Sequence, residues 1–180
     1  MGYEVLRTRV VYDNRWLRVR EDVFRRPDGV EGLYGVVEKP PFAVVIAWDG
    51  ERVALVEQYR YPIGRRFWEF PQGALDGQSE QAPEMIARTE LQEETGMTAD
   101  RMTALGMLYL APGLSNQPMH AFLAEGLAMG EHQREHEEHD LRVEWFTLDE
   151  VHGLMRTGDF ADNASVAALY LWRGMFHVEH

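Results

Sequence analysis

Residues 67–97 read FWEFPQGALDGQSEQAPEMIARTELQEETGM, and three glutamates stand close together near the end of this segment. On a helix, Glu90, Glu93 and Glu94 occupy positions i, i+3 and i+4, so their carboxylates share one face. Like charges at this spacing destabilise a helix unless a cation lies among them. Because carboxylate oxygens suit hard divalent cations, the cluster predicts a site for Mg²⁺ or Mn²⁺.

The flanking residues give this predicted helix two defined ends. Pro83 suits the first helical turn, where its missing N–H costs nothing, and Gly96 suits the left-handed residue that ends a helix. An aromatic, strand-like segment at residues 67–70 and a loop containing Gly73 precede the helix. Three glutamates alone would favour a solvated acidic helix face, and it is this strand–loop–helix context that favours a metal site instead.

The segment ELQEETGM, residues 90–97, resembles the second half of the Nudix box, G-x5-E-x7-R-E-U-x-E-E-x-G-U, where U is a bulky apolar residue. The resemblance implies an α/β fold, namely a Nudix α/β/α sandwich with a mixed sheet, plus a small N-terminal antiparallel sheet. It also implies metal-dependent hydrolysis of a diphosphate linkage in a nucleoside diphosphate derivative. Glu90 and Glu94, one helical turn apart, are the predicted principal metal ligands, and Glu93 is either a further ligand or a group that tunes the metal shell.

The sequence departs from the box in two places. Thr89 stands where the family has an arginine that orients the carboxylates, and Arg88 lies one position away. Either Arg88 bends round to substitute for it, or other groups orient the carboxylates. The loop from Gly73 to Glu90 is also two residues longer than the pattern, with the insertion placed within residues 76–82. No glutamate then occupies the first position of the box.

Size and composition predict one folded domain with a sizeable core, with room for a small appendage. The chain has 180 residues, 45% of them hydrophobic, and a formal net charge of −12. Because nucleic-acid binding needs a basic face, this charge argues against a stable nucleic-acid complex. The absence of cysteine excludes disulfides and thiolate zinc sites. No apolar run could span a bilayer and the N-terminus lacks a signal-peptide core, so we expect a cytoplasmic protein with no membrane association.

Residues 1–40 are predicted to form a separate antiparallel sheet of three strands. ADP-ribose pyrophosphatases of the Nudix group carry such an N-terminal sheet and use it to dimerise, so the resemblance implies a homodimer. The alternative is a sheet that only caps the Nudix catalytic domain, which is predicted at residues 41–180. Turn sequences separate the predicted strands, which span residues 5–12, 17–23 and 32–37.

Three arginines concentrate positive charge close to the predicted metal loop of an acidic chain. They are Arg60, Arg65 and Arg66, and the segments QYR and FWEFPQG around them are similar to those of the ADP-ribose pyrophosphatases. Guanidinium groups bind phosphate through paired hydrogen bonds, so we expect at least one of the three to bind a diphosphate. Arg60 and Arg65 are the candidates, and ordinary surface pairing with nearby carboxylates is the alternative.

The same resemblance implies roles for three further residues. Glu69, on the strand before the loop, is implied to join the metal or substrate shell, and Gln72 to offer a backbone carbonyl to a metal. Pro112, in the sequence APGLSN, matches a proline of the ADP-ribose pyrophosphatases, although a Pro-Gly turn between strands is common anyway. The sequence FPQG is also similar to Nudix enzymes that act on dinucleoside polyphosphates or RNA 5′ ends, which leaves the substrate open.

Residues 130–140, GEHQREHEEHD, predict a charged loop, because nothing apolar there would hold a helix to the core. The string HQREH fits the H-x-x-E-H pattern of one zinc-peptidase class, but that pattern needs a helix, so we interpret the match as chance. Nudix enzymes can use a glutamate from such a loop as general base or extra ligand, and Glu137 and Glu138 are the candidates here. The box glutamates Glu90 and Glu93 are the alternative source of the base.

Together these features predict an enzyme that hydrolyses ADP-ribose to AMP and a sugar phosphate, with Mg²⁺ or Mn²⁺ as cofactor. Hydrolysis of GDP-mannose-type sugars or of dinucleoside polyphosphates is the alternative within the same class. A second class is a Nudix-fold module that binds a nucleotide without cleaving it, as the missing box arginine would allow. Such a module need not keep all three box glutamates, so the sequence favours the enzyme.

Overall fold

The N-terminal strands form a small sheet of their own. The computed structural model describes residues 2–74, 81–130 and 140–175. Three strands pair antiparallel in chain order: β1 (Glu4–Asp13), β2 (Arg18–Arg25) and β3 (Glu31–Glu38). The sheet confirms the prediction of three short N-terminal strands separated by turns.

A mixed sheet of seven strands forms the centre of the remaining chain. Its strands are β4 (Phe42–Trp48), β5 (Val53–Arg60), β6 (Arg65–Glu69), β7 (Gln72–Gly73), β8 (Met97–Tyr109), β9 (Pro118–Met129) and β10 (Arg142–Phe146). The main path runs β10-β5-β4-β9-β8, while β6 pairs with β5 and β7 pairs with β4. Strands β4 and β9 are parallel and the other pairs antiparallel, so the sheet is mixed as predicted.

Three helices cover the two faces of this sheet: α1 (Pro83–Thr95), α2 (Leu148–Thr157) and α3 (Asn163–Met175). On one face, Val45 of β4 packs in a core cluster with Leu91 of α1. On the opposite face, Ile46 packs in a second cluster that includes Val151 of α2 and Trp172 of α3. This layering is the α/β/α sandwich that the sequence predicted. None of the helices in the described ranges is long and apolar enough to cross a bilayer.

Helix α1 has the ends that its sequence predicted, and they fix the position of the glutamates. Pro83 lies in its first turn, and Gly96 ends it in the left-handed conformation with φ 71°. The N–H of Gly96 donates to Gln92 O at 2.8 Å. Because Ile86 and Leu91 are buried against the sheet, the helix cannot rotate without exposing them. The predicted helix and both of its ends are therefore confirmed.

The hairpin of β8 and β9 is longer than the sequence predicted. The expected strands covered residues 101–110 and 119–124, whereas β8 begins at Met97 and β9 ends at Met129. Met97 and Met129 are paired in the register of the hairpin, and Gly130 N donates to Gly96 O at 2.7 Å. Backbone pairing thus continues to the end of α1, through a polar stretch whose side chains give little strand signal.

The N-terminal sheet contacts the rest of the chain through a short segment of β3 and the loop after β8. Val37 N donates to Leu114 O at 2.9 Å, and Tyr34 Oη donates to Gly113 O at 2.7 Å. Strand β1 is exposed along its whole length, including Val10, which is 51% exposed. A strand with several apolar side chains in solvent is a candidate interaction surface.

Candidate active site

The carboxylate of Glu90 lies directly against the backbone of the loop that precedes α1. A Cβ atom placed on Gly73 would come within 2.7 Å of Glu90 Oε1, so any side chain at this position would push the Glu90 carboxylate aside. Gly73 belongs to the two-residue strand β7, which pairs with the central strand β4. Glu90 itself is only 6% exposed. The missing side chain of Gly73 therefore allows a buried carboxylate to reach the loop.

Glu94 lies one helical turn further along α1 and is held by the same loop. Its Oε2 accepts a 2.8 Å hydrogen bond from the backbone N–H of Gln72. Its Oε1 accepts a longer hydrogen bond of 3.4 Å from Gln58 Nε2 on β5. Glu94 is 2% exposed, so these neutral donors orient a carboxylate in a poorly solvated environment. The structure thus brings Glu90, Glu94 and Gln72 together, as the sequence predicted.

Glu69 is a third buried carboxylate at the same place. It lies at the end of β6, fully buried, and accepts hydrogen bonds from Arg60 Nη2 at 2.5 Å and Gln58 Nε2 at 2.7 Å. Loss of solvation on burial raises the pKa of Glu69 from 4.5 to about 7, against the lowering effect of Arg60. Gln58 contacts both Glu69 and Glu94, so one amide joins two carboxylates.

The side chain of Gln72 connects this group to the N-terminus of α3. Its Nε2 donates to Glu69 Oε2 at 3.1 Å and to Asp162 Oδ2 at 2.9 Å. Asp162 Oδ2 also accepts from the N–H and the hydroxyl of Ser165, the arrangement of an aspartate that caps a helix. Sequence reasoning missed Gln58, Asp162 and Ser165. The Asp-x-x-Ser spacing before an apolar helix was the one local signal that could have indicated the cap.

Four of these residues, Arg60, Gln72, Gly73 and Asp162, line a cleft with a volume of about 250 Å³. Its lining mixes apolar and polar side chains, which is typical of a small-molecule site. The cleft is lined by Lys39, Phe42, Arg60, Gln72, Gly73, Ala74, Leu110, Gln117, Asp162 and Ala164.

Arg65, the other arginine predicted to bind the diphosphate, contacts residues outside the cleft lining. Its Nη2 donates to Gly158 O at 2.7 Å and approaches Asp159 Oδ1 at 3.4 Å, on the loop between α2 and α3. Arg66, the third arginine of the group, pairs with Glu57 at 2.9 Å and with Asp140. In this structure Arg65 and Arg66 therefore bind partners at the surface, whereas Arg60 lines the cleft.

Other predicted positions lie at the margins of the site or beyond the described residues. Glu93 is half-buried on α1. Pro112 lines a separate depression beside Tyr34 and Tyr109, between β3 and the loop after β8. Glu137 and Glu138 fall outside the described residues, as does most of the insertion predicted within residues 76–82.

The structure answers the question of how the carboxylates are oriented without the box arginine. Arg88 pairs with Glu84 Oε1 through its Nη2 at 2.9 Å and donates from Nη1 to Ala99 O at 2.8 Å. It therefore points along α1 and towards β8. Among the described residues, the Gln72 N–H and the Gln58 amide donate to Glu94, while Gly73 makes room for Glu90.

Comparison with known proteins identifies the family of this arrangement. Residues 37–169 match the NUDIX domain, and residues 3–37 match the nucleoside diphosphate sugar hydrolase N-terminal domain. The chain belongs to the Nudix family. This Nudix protein is accordingly a pyrophosphohydrolase that acts on nucleoside diphosphate small molecules.

Individual Nudix relatives extend over most of the chain. An ADP-ribose pyrophosphatase of Mycobacterium tuberculosis is 31% identical over 169 residues, which are 93% of this chain and 81% of the relative. An ADP-ribose pyrophosphatase of Bacillus subtilis is 34% identical over 151 residues, 83% of this chain and 80% of the relative. The fold is similar to that of a crystal structure of an ADP compounds hydrolase, with a TM-score of 0.86, 22% identity and 98% and 95% of the two chains covered.

Nudix hydrolases generally use divalent metal ions, and the donor set in the cleft fits such an ion. Glu90 and Glu94 supply carboxylate oxygens at a place where a Cβ would clash, next to the backbone of Gln72. Within the described ranges, no group of three acidic or histidine side chains is already arranged to hold a metal ion. Mg²⁺ commonly takes one or two carboxylates and completes its shell with water and substrate phosphates, so a partial protein set suits it.

Replacing Gly73 by alanine is expected to lower turnover by about 10- to 100-fold, the usual effect of disturbing groups around a metal ligand. The added methyl would displace the carboxylate of Glu90 from the loop. Steady-state hydrolysis of a nucleoside diphosphate sugar measures the effect, and thermal unfolding checks the fold. Gly35→Ala on β3 is the matched control, because its added Cβ meets nothing within 4 Å. Equal activity in both variants would contradict the role given to this contact.

The raised pKa of Glu69 predicts a pH-dependent stability in the metal-free protein. Between about pH 4.5 and about 7 the folded state keeps a proton that the unfolded state has lost. The free energy of unfolding should therefore fall as the pH rises through this window and level off above it. The loss due to Glu69 is on the order of 3 kcal/mol.

Urea unfolding at a series of pH values compares the wild type with Glu69→Gln, in which this slope should disappear. Glu51→Gln, at an exposed position in the β4–β5 turn, serves as the control and should keep the wild-type slope. An unchanged slope in Glu69→Gln would show that Glu69 is already ionised at low pH.

Proposed function

We propose that this protein hydrolyses the diphosphate linkage of ADP-ribose, giving AMP and a sugar phosphate. The observation that carries the proposal is that three buried carboxylates, Glu69, Glu90 and Glu94, each lie against residues that line the cleft. Glu69 accepts from Arg60 and Gln72, Glu94 accepts from the Gln72 N–H, and Glu90 lies against Gly73. The two relatives named above are ADP-ribose pyrophosphatases at 31% and 34% identity. The N-terminal match to a nucleoside diphosphate sugar hydrolase domain supports the same substrate class.

The proposed cofactor is Mg²⁺, with Mn²⁺ as a substitute. Glu90, Glu93 and Glu94 of α1 and the backbone carbonyl of Gln72 would hold it. When bound, such an ion neutralises phosphate oxygens and lowers the pKa of a coordinated water. Burial of Glu90 and Glu94 strengthens their attraction to a cation, because little water screens the charges.

The residues of the cleft itself would bind and orient the substrate. Arg60 presents its guanidinium to the cleft while it contacts Glu69, so a substrate phosphate could share this cation. The amide of Gln72, which donates to the buried Glu69, is a second polar group of the cleft lining. We assign Arg65 and Pro112 to the outer part of the substrate site, as the family resemblance implies.

Two sources of the general base follow from the sequence. One is the helix α1, where Glu90 and Glu93 are the candidates, and the other is the late charged segment with Glu137 and Glu138. Either group would take the proton of the attacking water. The contact of Glu90 with Gly73 favours a ligand role for Glu90, which leaves Glu93 as the better base on α1.

The proposal includes a cytoplasmic homodimer that forms no stable complex with nucleic acid. The net charge of −12 disfavours binding to a polyanion. Residues 1–40, through the exposed β1 strand, are the proposed dimer surface, and residues 41–180 the catalytic domain.

A substrate panel tests the proposed reaction. Purified protein is incubated with Mg²⁺ or Mn²⁺ and ADP-ribose, ADP-glucose, GDP-mannose or a dinucleoside polyphosphate, and products are separated by chromatography. We expect AMP and ribose 5-phosphate from ADP-ribose, with the largest kcat/KM of the panel. A larger kcat/KM for GDP-mannose or for the dinucleoside polyphosphate would identify that compound as the preferred substrate instead. Binding of ADP-ribose without cleavage would instead indicate a nucleotide-binding module.

Glu93→Gln and Glu94→Gln are each expected to cut turnover by orders of magnitude, because an amide is a poor ligand and no base. Glu84→Gln on the exposed side of the same helix is the control, since Glu84 makes a surface ion pair with Arg88. Circular dichroism verifies that each variant is folded. Persistence of activity in both Glu93→Gln and Glu94→Gln would refute the proposed site.

The dimer is tested by sedimentation equilibrium. We expect the wild type at twice the chain mass of 20.8 kDa, and Val10→Asp to dissociate it, since a charge would enter an apolar interface. Met85→Asp on α1 changes a residue of nearly equal exposure, 52% against 51%, and should remain dimeric. A monomeric wild type at micromolar concentration would rule out the dimer.

A further inference from the structure

Lys39 is the single lysine of a chain whose other basic side chains are arginines. It lines the cleft together with Arg60 and Gln117. We infer that Lys39 binds the diphosphate of the substrate as a second cation beside Arg60 and thereby determines the affinity for this anion. The inference rests on the proposed function, because it concerns the same cleft.

Arg60 in the cleft lining and the nearby Arg65 and Arg66 of the chain already have partners, whereas Lys39 forms no ion pair with a described residue. Arg60 contacts Glu69, Arg65 contacts Gly158 O, and Arg66 pairs with Glu57. Among the described residues, none forms an ion pair with the ammonium group of Lys39. A phosphate that meets Arg60 must share it with a buried carboxylate, but a phosphate that meets Lys39 displaces only water.

The backbone around Lys39 is held in place although its side chain is exposed. The residue follows β3 directly and precedes Pro40, which restricts its backbone to extended conformations. Gln117 Nε2 donates to Pro40 O at 2.8 Å, and Val37 N donates to Leu114 O at 2.9 Å. The four-carbon stem of Lys39 therefore starts from a fixed point at the rim of the cleft.

The charge balance of the cleft explains why a second cation is needed. Glu69, Glu94 and Asp162 are linked through the amides of Gln58 and Gln72, in a protein with a net charge of −12. A diphosphate that approaches this group is repelled unless positive charge lies at the entrance. An ammonium on a flexible stem can follow the phosphate into the cleft and release it with the product. Lys39 should thus affect binding more than the chemical step.

The test compares the wild type with Lys39→Gln in steady-state hydrolysis of ADP-ribose at several salt concentrations. We expect KM to rise about tenfold, as for the loss of one charge-assisted hydrogen bond, with kcat nearly unchanged. The salt dependence of kcat/KM should become shallower, because one charge no longer attracts the substrate. Lys39→Arg keeps the positive charge, so its KM should stay close to that of the wild type. If Lys39 were only structural, KM would not depend on the charge at this exposed position.

Arg101→Gln is the matched control, because it removes one positive charge from a side chain that pairs with Glu125 on the β8–β9 hairpin, outside the cleft lining. Its KM and salt dependence should equal those of the wild type. If Lys39→Gln kept the wild-type KM, or if Arg101→Gln raised KM equally, the inference would be overturned.

A binding experiment separates this inference from the proposed function. If the wild type cleaves none of the nucleoside diphosphates, the proposed function fails, but the binding of a diphosphate by Lys39 can still be measured. Titration calorimetry with inorganic pyrophosphate and Mn²⁺ then compares the wild type with Lys39→Gln and Arg101→Gln. Weaker binding, by about tenfold, in Lys39→Gln alone supports the role of Lys39. Equal binding in the three proteins excludes it.

Discussion

Burial of like charges is the constraint on which this structure depends. Glu69, Glu90 and Glu94 are at most 6% exposed, although a carboxylate normally remains in water or finds a cation. Arg60 and the amides of Gln58 and Gln72 satisfy part of their hydrogen bonding, and the raised pKa of Glu69 shows the electrostatic cost that is left. A divalent cation would lower this cost, because it adds positive charge beside the carboxylates. Stability and function are therefore coupled at one place.

The fold places these groups by means that have little to do with charge. Leu91 packs α1 on the central sheet, and Gly96 ends the helix so that its glutamates face β7. Strand β7 pairs with β4, which brings Gly73 against Glu90. From the other face of the sheet, Asp162, the residue before α3, accepts a hydrogen bond from the Gln72 amide. Apolar packing on both faces thus holds the elements that carry the polar groups.

The sequence predicted the parts of this arrangement that depend on local pattern. The apolar run of β4, the ends of α1 and the spacing of Glu90 and Glu94 each follow from neighbouring residues. Contacts between residues distant in sequence could not be read in this way, and they include the bond from Gln72 to Asp162 and the partner of Arg65 on the α2–α3 loop. The extent of β8 was wrong for the same reason, because backbone pairing with β9 rather than side-chain pattern determined its start.

A crystal structure of the protein with Mn²⁺ and a non-hydrolysable ADP-ribose analogue tests the central claim most directly. Anomalous scattering at the manganese absorption edge identifies the ion by its element, independently of which residues surround it. The account predicts a peak bonded to carboxylate oxygens of Glu90 and Glu94, with a phosphate oxygen of the analogue among the other ligands. A bound analogue with no manganese at these carboxylates would contradict it.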